Sequence, residues 1–303
     1  MATTELARSP RQGALLVKAA IGALPLPGRA RRATELPDTE LVLRDVDVDP
    51  DHLAAYSRVC GFGVRNEVPP TYPHVLAAPL ALRLLSDGTF PFPVIGLVHV
   101  GNAITQSRPL GMSEPLTLRV HAADLRPHER GVQFDVIHEA SAGGEAVWRS
   151  VSTYLRRSSS GGSGRSGGGS SRSSGSGGRD GAPKDASAAD VPTAVWTVPD
   201  NIGRRYAAVS GDRNPIHLHP LTARAFGFPR AIAHGMWTKA RCLAALENRL
   251  PAAYTVDVAF KLPVLLPAKV AFHAGSTGSG GWRFGLRDAR ADRPHLTGTV
   301  TGR

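Results

Sequence analysis

Apolar residues recur along this chain with two periods, two and about 3.6, and the order in which the periods alternate is the same in two stretches. In the first stretch Leu41-Val42-Leu43 predicts a short strand, and Asp51 to Tyr56 opens a helix with Asp49 or Asp51 as its cap. Val75 to Leu85 is apolar nearly all round and predicts a buried helix, with Pro79 expected in its first turn or at a kink. Strands centred on Leu97–Val100, Leu116–Val120 and Val132–Val136 follow, and a last one covers Ala146–Leu155. The second stretch opens on a strand at Ala194–Val198. A helix from about Ala233 to Arg249 carries Ile232, Met236, Ala240, Leu243 and Leu250 at helical spacing, with Lys239, Arg241, Glu247 and Arg249 between them. Strands at Thr255–Phe260, Lys269–Phe272, Trp282–Leu286 and Leu296–Val300 complete it.

The periodic stretches define two halves, 35–157 and 191–303, and a chain of 303 residues is long enough for each to bury a core. Residues 1–34 read as a basic extension without a core of its own. Residues 158–190 read as a linker, because 158–181 are almost wholly Ser, Gly and Arg, a composition that buries no apolar surface. The halves repeat one another: Tyr56-x-x-Val59-x-Gly61 matches Tyr206-x-x-Val209-x-Gly211, and Gly131-x-x-Phe134 matches Gly281-x-x-Phe284 at the same offset. Carried across that offset, Asp212 falls on Phe62 and His217 on Glu67. Any chemistry that needs this acid and this imidazole is therefore expected in the second half alone.

Charge and cysteine content narrow the classes of partner. Lys and Arg number 36 against 25 Asp and Glu, so polyanions come into view: nucleic acid, a membrane surface or a phosphorylated small molecule. The cations are dispersed, with several in the extension (Arg8, Arg11, Lys18, Arg29, Arg31, Arg32) and others in the linker (Arg165, Arg172, Arg179), which is the pattern of a solvated basic surface. Nucleic acid is not expected as a partner. Cys60 and Cys242, one in each half, give neither a disulfide framework nor metal spacing and fit a reducing, cytoplasmic compartment. The apolar run Ala14–Pro25 is interrupted by Lys18 and is shorter than the ~20 residues that span a bilayer. It reads as an amphipathic segment against the protein or a membrane, or as a weak signal h-region, and no stable membrane insertion is expected.

Polar chemistry concentrates between Tyr206 and Met236. Within six residues the chain places Asp212, Asn214, Pro215 and His217, and Asn-Pro disfavours helix at Asn214, so Gly211 to Pro215 is expected to form a rigid turn. The run Y-x-x-V-S-G-D-x-N-P-I-H, followed by A-H-G-M, resembles the hydratase-2 motif of the MaoC-like dehydratases and (R)-specific enoyl-CoA hydratases. Tyr206, Gly211, Asp212, Asn214, Pro215 and His217 fall in register with it. From Thr34 onward, linker excepted, the chain resembles the double-hotdog 3-hydroxyacyl-thioester dehydratases. That resemblance implies an α+β fold of two hotdog halves, each a long helix wrapped by a curved antiparallel sheet. It also implies a lyase of fatty-acid metabolism that reversibly hydrates a trans-2-enoyl-CoA or acyl-carrier-protein thioester to the (R)-3-hydroxyacyl form. The expected assembly is a monomeric pseudo-dimer or a homodimer.

The residue types suit such a reaction. A carboxylate and an imidazole converging on one water can exchange its proton, and partial burial brings both toward neutrality; which takes the proton and which returns it is open. Asn214 holds that water or braces the turn. Gly235 offers a backbone N–H at the positive end of the long helix for the thioester oxygen, and its lack of a side chain permits close approach. His234 contacts substrate or orients a neighbour. Arg204, Arg205, Arg230 and Lys261 are candidates for CoA phosphates, and Tyr206 for a substrate contact. Phe260-x-x-Pro263-Val264 resembles a strand-end pattern of the family. The blander alternatives are a turn aspartate with a core histidine, a silent acyl-thioester-binding subunit or regulator, and a metal held by Asp212, His217 and His219. No cofactor and no metal are expected. The first half is a structural partner that covers a sheet edge or widens a channel for the acyl tail.

Overall fold

The computed structural model describes residues 1–10, 12, 13, 15, 34–158, 191–278 and 280–303. The expected linker beyond residue 158, and most of the apolar run that begins at Ala14, lie outside the described residues. Each half follows the order that its periodicity dictates. The first comprises β2 (Thr39–Val46), α1 (Pro50–Cys60), α2 (Tyr72–Leu85), β3 (Leu97–Gln106), β4 (Leu116–His128), β5 (Gly131–Ala142) and β6 (Glu145–Arg157). The second comprises β7 (Ala194–Val198), α3 (Ile202–Ser210), α4 (Pro215–Leu218), α5 (Pro220–Ala225), α6 (Gly235–Leu246), β8 (Tyr254–Phe260), β9 (Ala268–Ser276), β10 (Trp282–Asp288) and β11 (Pro294–Gly302).

Together with β1 (Ala2–Leu6), the described strands form one 11-stranded sheet that runs through both halves in the order β1-β2-β4-β5-β6-β3-β8-β11-β10-β9-β7. Apart from β1, the order reads as five strands and then their five counterparts, so the halves meet about a pseudo-twofold axis at the β3/β8 seam. That seam is antiparallel, with Ile104 opposite Val256, and the hydroxyls of Thr105 and Thr255 hydrogen-bond across it at 2.9 Å. The sheet curves around α2 and α6, which is the double-hotdog arrangement.

Local chemistry accounts for the helices. Asp49 caps α1 by accepting from the N–H groups of Asp51 (2.9 Å) and His52 (3.3 Å), and Pro50 occupies the first helical position. Gly61 ends α1 and Gly211 ends α3 in the left-handed conformation (φ 86° and 73°), where glycine avoids the Cβ penalty. The helix predicted from Val75 begins earlier, at Tyr72, and buries Tyr72, Val75, Ala77, Leu80, Ala81, Leu84 and Leu85. Pro79 lies in its interior rather than its first turn, which removes one N–H from the helical ladder.

Two features depart from the sequence reading. The extension supplies β1 (Ala2–Leu6), which pairs in parallel with β2, Thr4 opposite Leu41, so part of the 1–34 segment belongs to the sheet. The path between the helices also differs between halves. From Gly61 the first half reaches α2 directly, whereas the second passes through α4 and α5, each begun by a proline, before α6. Those extra turns hold the site.

Side chains fasten the halves together as well. Trp237 Nε1 donates to Val59 O at 3.1 Å, and Arg65 pairs with Glu247 at 3.3 Å. Lys239 of α6 is 0% exposed, and burial pushes its amine well below the ordinary lysine range; its Nζ lies in hydrogen-bond reach of Asn102 O (2.9 Å), Asn102 Oδ1 (2.6 Å) and Val256 O (3.3 Å), contacts that bridge the seam. No described helix is long and apolar enough to cross a membrane.

Candidate active site

The turn after α3 is braced by its own side chains. Asp212 Oδ1 accepts from Asn214 N–H at 3.1 Å, and Asn214 Oδ1 accepts from Ile216 N–H at 3.5 Å, capping α4. Of the two roles open to Asn214, bracing is the one its geometry fills. α4 carries His217 inward, where Nδ1–H donates to Ile232 O at 2.8 Å. This bond fixes the tautomer and leaves Nε2 as the acceptor. Gly203 of α3 permits the approach, since a Cβ there would collide with the His217 carbonyl oxygen.

His234 completes the cluster. Its Nε2–H donates to Asp212 O at 3.0 Å, its ring stacks on His217 with centroids 3.6 Å apart, and its Nε2 lies 3.8 Å from Asp212 Oδ2. Nitrogen and carboxylate atoms of Asp212, His217 and His234 all lie within 4.8 Å of one another. His219 points elsewhere and caps α5 by accepting from Leu221 N–H at 3.2 Å, so it takes no part in the set once considered for a metal.

Electrostatics give the groups distinct charges. Enclosure acts to raise the Asp212 carboxyl, but the His234 and His217 imidazoles and the Asn214 N–H outweigh it and hold the group below the usual carboxylate range. Burial pushes His217 below its ordinary value, only partly offset by Asp212 and the Ile232 carbonyl, and pushes His234 down to about 3. At neutral pH a carboxylate thus faces uncharged imidazoles. Asp212 keeps 54% of its side-chain surface accessible, whereas His217 and His234 beside it are buried.

The N-terminus of α6 closes the site. His234 is its N-cap residue but makes no side-chain cap bond, because its ring is committed to Asp212. The N–H of Gly235 is therefore one of the helix's orphan donors. The Phe260 ring covers this glycine, 3.1 Å from where a Cβ would stand.

The remaining expected site residues are scattered. Tyr206 is 2% exposed and packs beneath His234 (4.9 Å between rings), so it supports the site instead of meeting substrate. Arg204 donates to Leu218 O and Arg230 to Pro267 O, both at 3.3 Å and both on the surface; Arg205 and Lys261 are exposed too. In the first half Phe62 stacks on Tyr56 and Glu67 bridges to Gly111, so the counterpart turn has neither acid nor imidazole at the matching places. His99 and Tyr154 of the first half, which sequence reasoning did not single out, both lie within electrostatic reach of Asp212. The Gln12 carboxamide lies against Gly211, beside the turn that carries Asp212.

Fold and site together define a double-hotdog protein with one such acid–imidazole cluster among the described residues. Comparison with known proteins agrees. Residues 185–297 match the MaoC like domain model. Over 287 residues the chain is 39% identical to 3-hydroxyacyl-thioester dehydratase X of Mycobacterium tuberculosis, spanning 95% of this chain and 96% of the relative. The crystal structure of HtdX from the same organism superposes with a TM-score of 0.74 at 37% identity, covering 87% of this chain and 100% of that one. A MaoC-like dehydratase from Phytophthora capsici shares the fold at 19% identity, with a TM-score of 0.68 over 90% of this chain and 97% of its own. The chain belongs to the MaoC-like dehydratase family.

Proposed function

We propose that the chain is a hydro-lyase, independent of metal and cofactor, that adds water reversibly to a trans-2-enoyl thioester and yields the (R)-3-hydroxyacyl thioester. The observation that carries this reading is the cluster of the Asp212 carboxylate and the neutral His217 imidazole beside the uncapped start of α6. The water is held between Asp212 and His217 Nε2. As its oxygen bonds to C3, the C2=C3 π electrons move into the thioester carbonyl, and the pair takes one water proton. The enolate oxygen is stabilised by Gly235 N–H and the helix dipole. Collapse of the enolate takes that proton at C2, so water is added across the bond with nothing left over.

The thioester handle is CoA or an acyl carrier protein, met by exposed cations such as Arg204, Arg205 and Arg230. The protein acts in the cytoplasm as a pseudo-dimer, alone or as a homodimer. Crotonyl-CoA hydration, followed by loss of enoyl-thioester absorbance, tests the reading. Asp212→Asn and His217→Ala are each expected to lower kcat about 10²–10⁴-fold. Unaltered rates would end it, and binding without turnover by the native chain would favour a silent acyl-thioester-binding subunit.

A further inference from the structure

The extension reaches the catalytic end of the molecule. β1 fixes it to β2, and Glu5 of β1 is paired with Arg44 at 3.1 Å. Beyond β1 the chain passes Arg83 in the last turn of α2 and comes to Gly211, where the Gln12 carboxamide takes the space a Cβ would fill. The next residue along that turn is Asp212. The end of α2 that bears Arg83 is also the one that leads into β3, whose His99 lies within electrostatic reach of Asp212.

Between the extension and α2 lies an open groove of about 290 Å³, lined by Leu6, Ala7, Arg8, Ser9, Pro10 and Arg83. Both arginines are exposed, and neither has a carboxylate partner among the described residues. No acidic side chain lines the groove, and Glu5, the one acid of residues 1–34 against six Lys and Arg, is already held by Arg44. Two like charges that face one cavity without a counter-charge favour an anion between them, and the Ser9 hydroxyl adds a donor. Arg204 and Arg230, by contrast, already donate to Leu218 O and Pro267 O. Arg8 precedes Gln12 by four positions, so no more than about 14 Å of chain separates the groove from the contact with Gly211. An extended pantetheine arm covers that distance, and it ends in a phosphate in CoA and in acyl carrier protein alike.

We propose that this groove holds the phosphate at the far end of the pantetheine arm, with Arg8 and Arg83 as its ligands, so that the extension is part of the substrate site. The inference rests on the hydratase reading of Asp212 and His217. It assigns recognition of the thioester handle to the extension and the first half, and the making of the new bond to the second.

The test uses the full chain with crotonyl-CoA and with crotonyl-pantetheine, which lacks the phosphate. In the double variant Arg8→Ala, Arg83→Ala, KM for crotonyl-CoA is expected to rise about tenfold or more with little change in kcat. The preference for crotonyl-CoA over crotonyl-pantetheine in kcat/KM falls by the same factor, and the pair Arg8→Lys, Arg83→Lys, which keeps the charge, retains part of it. Crotonyl carried on acyl carrier protein separates the sources: a loss on both carriers puts their shared phosphate in the groove, and a loss on CoA alone puts the CoA pyrophosphate there. An unchanged preference in the double alanine variant overturns the inference and leaves the hydratase reading standing. So does an equal loss with crotonyl-pantetheine, which would mean that the substitutions disturb the cleft and not a phosphate contact. Absence of turnover with every substrate overturns the hydratase reading and this inference with it.

Discussion

Lowering the pH is expected to unfold this protein by charging histidines that the fold holds neutral, and His138 lets the effect be worked through. It sits on β5 at 1% exposure, faced by His74 from α2 and within reach of His121 on β4. Burial lowers it from an ordinary 6.5 to about 4, against the partial support of the Ser150 and Val136 backbone. The unfolded chain takes up the proton as pH falls through about 6.5, whereas the folded chain takes it up only near 4. The stability this group contributes is therefore complete above the unfolded value and is lost progressively as pH falls toward the folded one. Between pH 7 and pH 5 the loss comes to about 2 kcal/mol for this histidine alone. His99 and His234, each pushed to about 3, act in the same direction. Urea unfolding followed by tryptophan fluorescence at the two pH values measures the difference, and His138→Gln, which cannot titrate there, should shrink it by about 2 kcal/mol whatever it does to absolute stability. The same pH dependence in native and variant protein would refute the reasoning.

Other changes have equally definite outcomes. Gly203→Ala pushes a Cβ against the His217 carbonyl and should lower kcat about hundredfold, with KM little changed and the circular dichroism of the fold retained; a fully active variant would mean that α4 tolerates displacement. Lys239→Met keeps the stem but strips Asn102 Oδ1 of its Nζ–H donor, and the urea midpoint should report a loss of about 1–3 kcal/mol. A gain in stability would mean that burying the Lys239 Nζ costs more than its contacts return.

What the sequence disclosed and what it concealed follow from the range of the interactions involved. β7 was legible as Ala194–Val198 to the residue, because Val195 and Thr197 alternate with the more enclosed Trp196 and Val198 between turn residues. Asp212 and His217 were legible because a spacing of five positions and one fixed proline, Pro215, bring them together locally. β1 was not, since Ala-Thr-Thr-Glu-Leu has an almost wholly exposed face pattern and exists only by pairing with β2 across the intervening extension. Pro79 inside α2 ran against local propensity and was overridden by the burial of the apolar residues around it. His234 was singled out in the motif, but its hold on the Asp212 carbonyl depends on the fold of α4 and α5 between them. His99 and Tyr154 were out of reach for a different reason: a strand's own alternation states which face each side chain takes and not which distant strand it will border. The β3/β8 seam brings His99 to Phe260, and no periodicity within either strand encodes that meeting.

The seam has a consequence for how the polypeptide holds together. Backbone ladders, the Lys239 contacts, the Trp237 bond and the Arg65–Glu247 pair all cross from one half to the other without using the peptide that joins them. Nicking that peptide should leave a single particle of unchanged sedimentation and turnover, and two separately encoded pieces meeting in solution should assemble the same enzyme. Covalent continuity then serves to match one catalytic partner with one silent partner in every molecule, which a pair of free subunits would achieve only by chance.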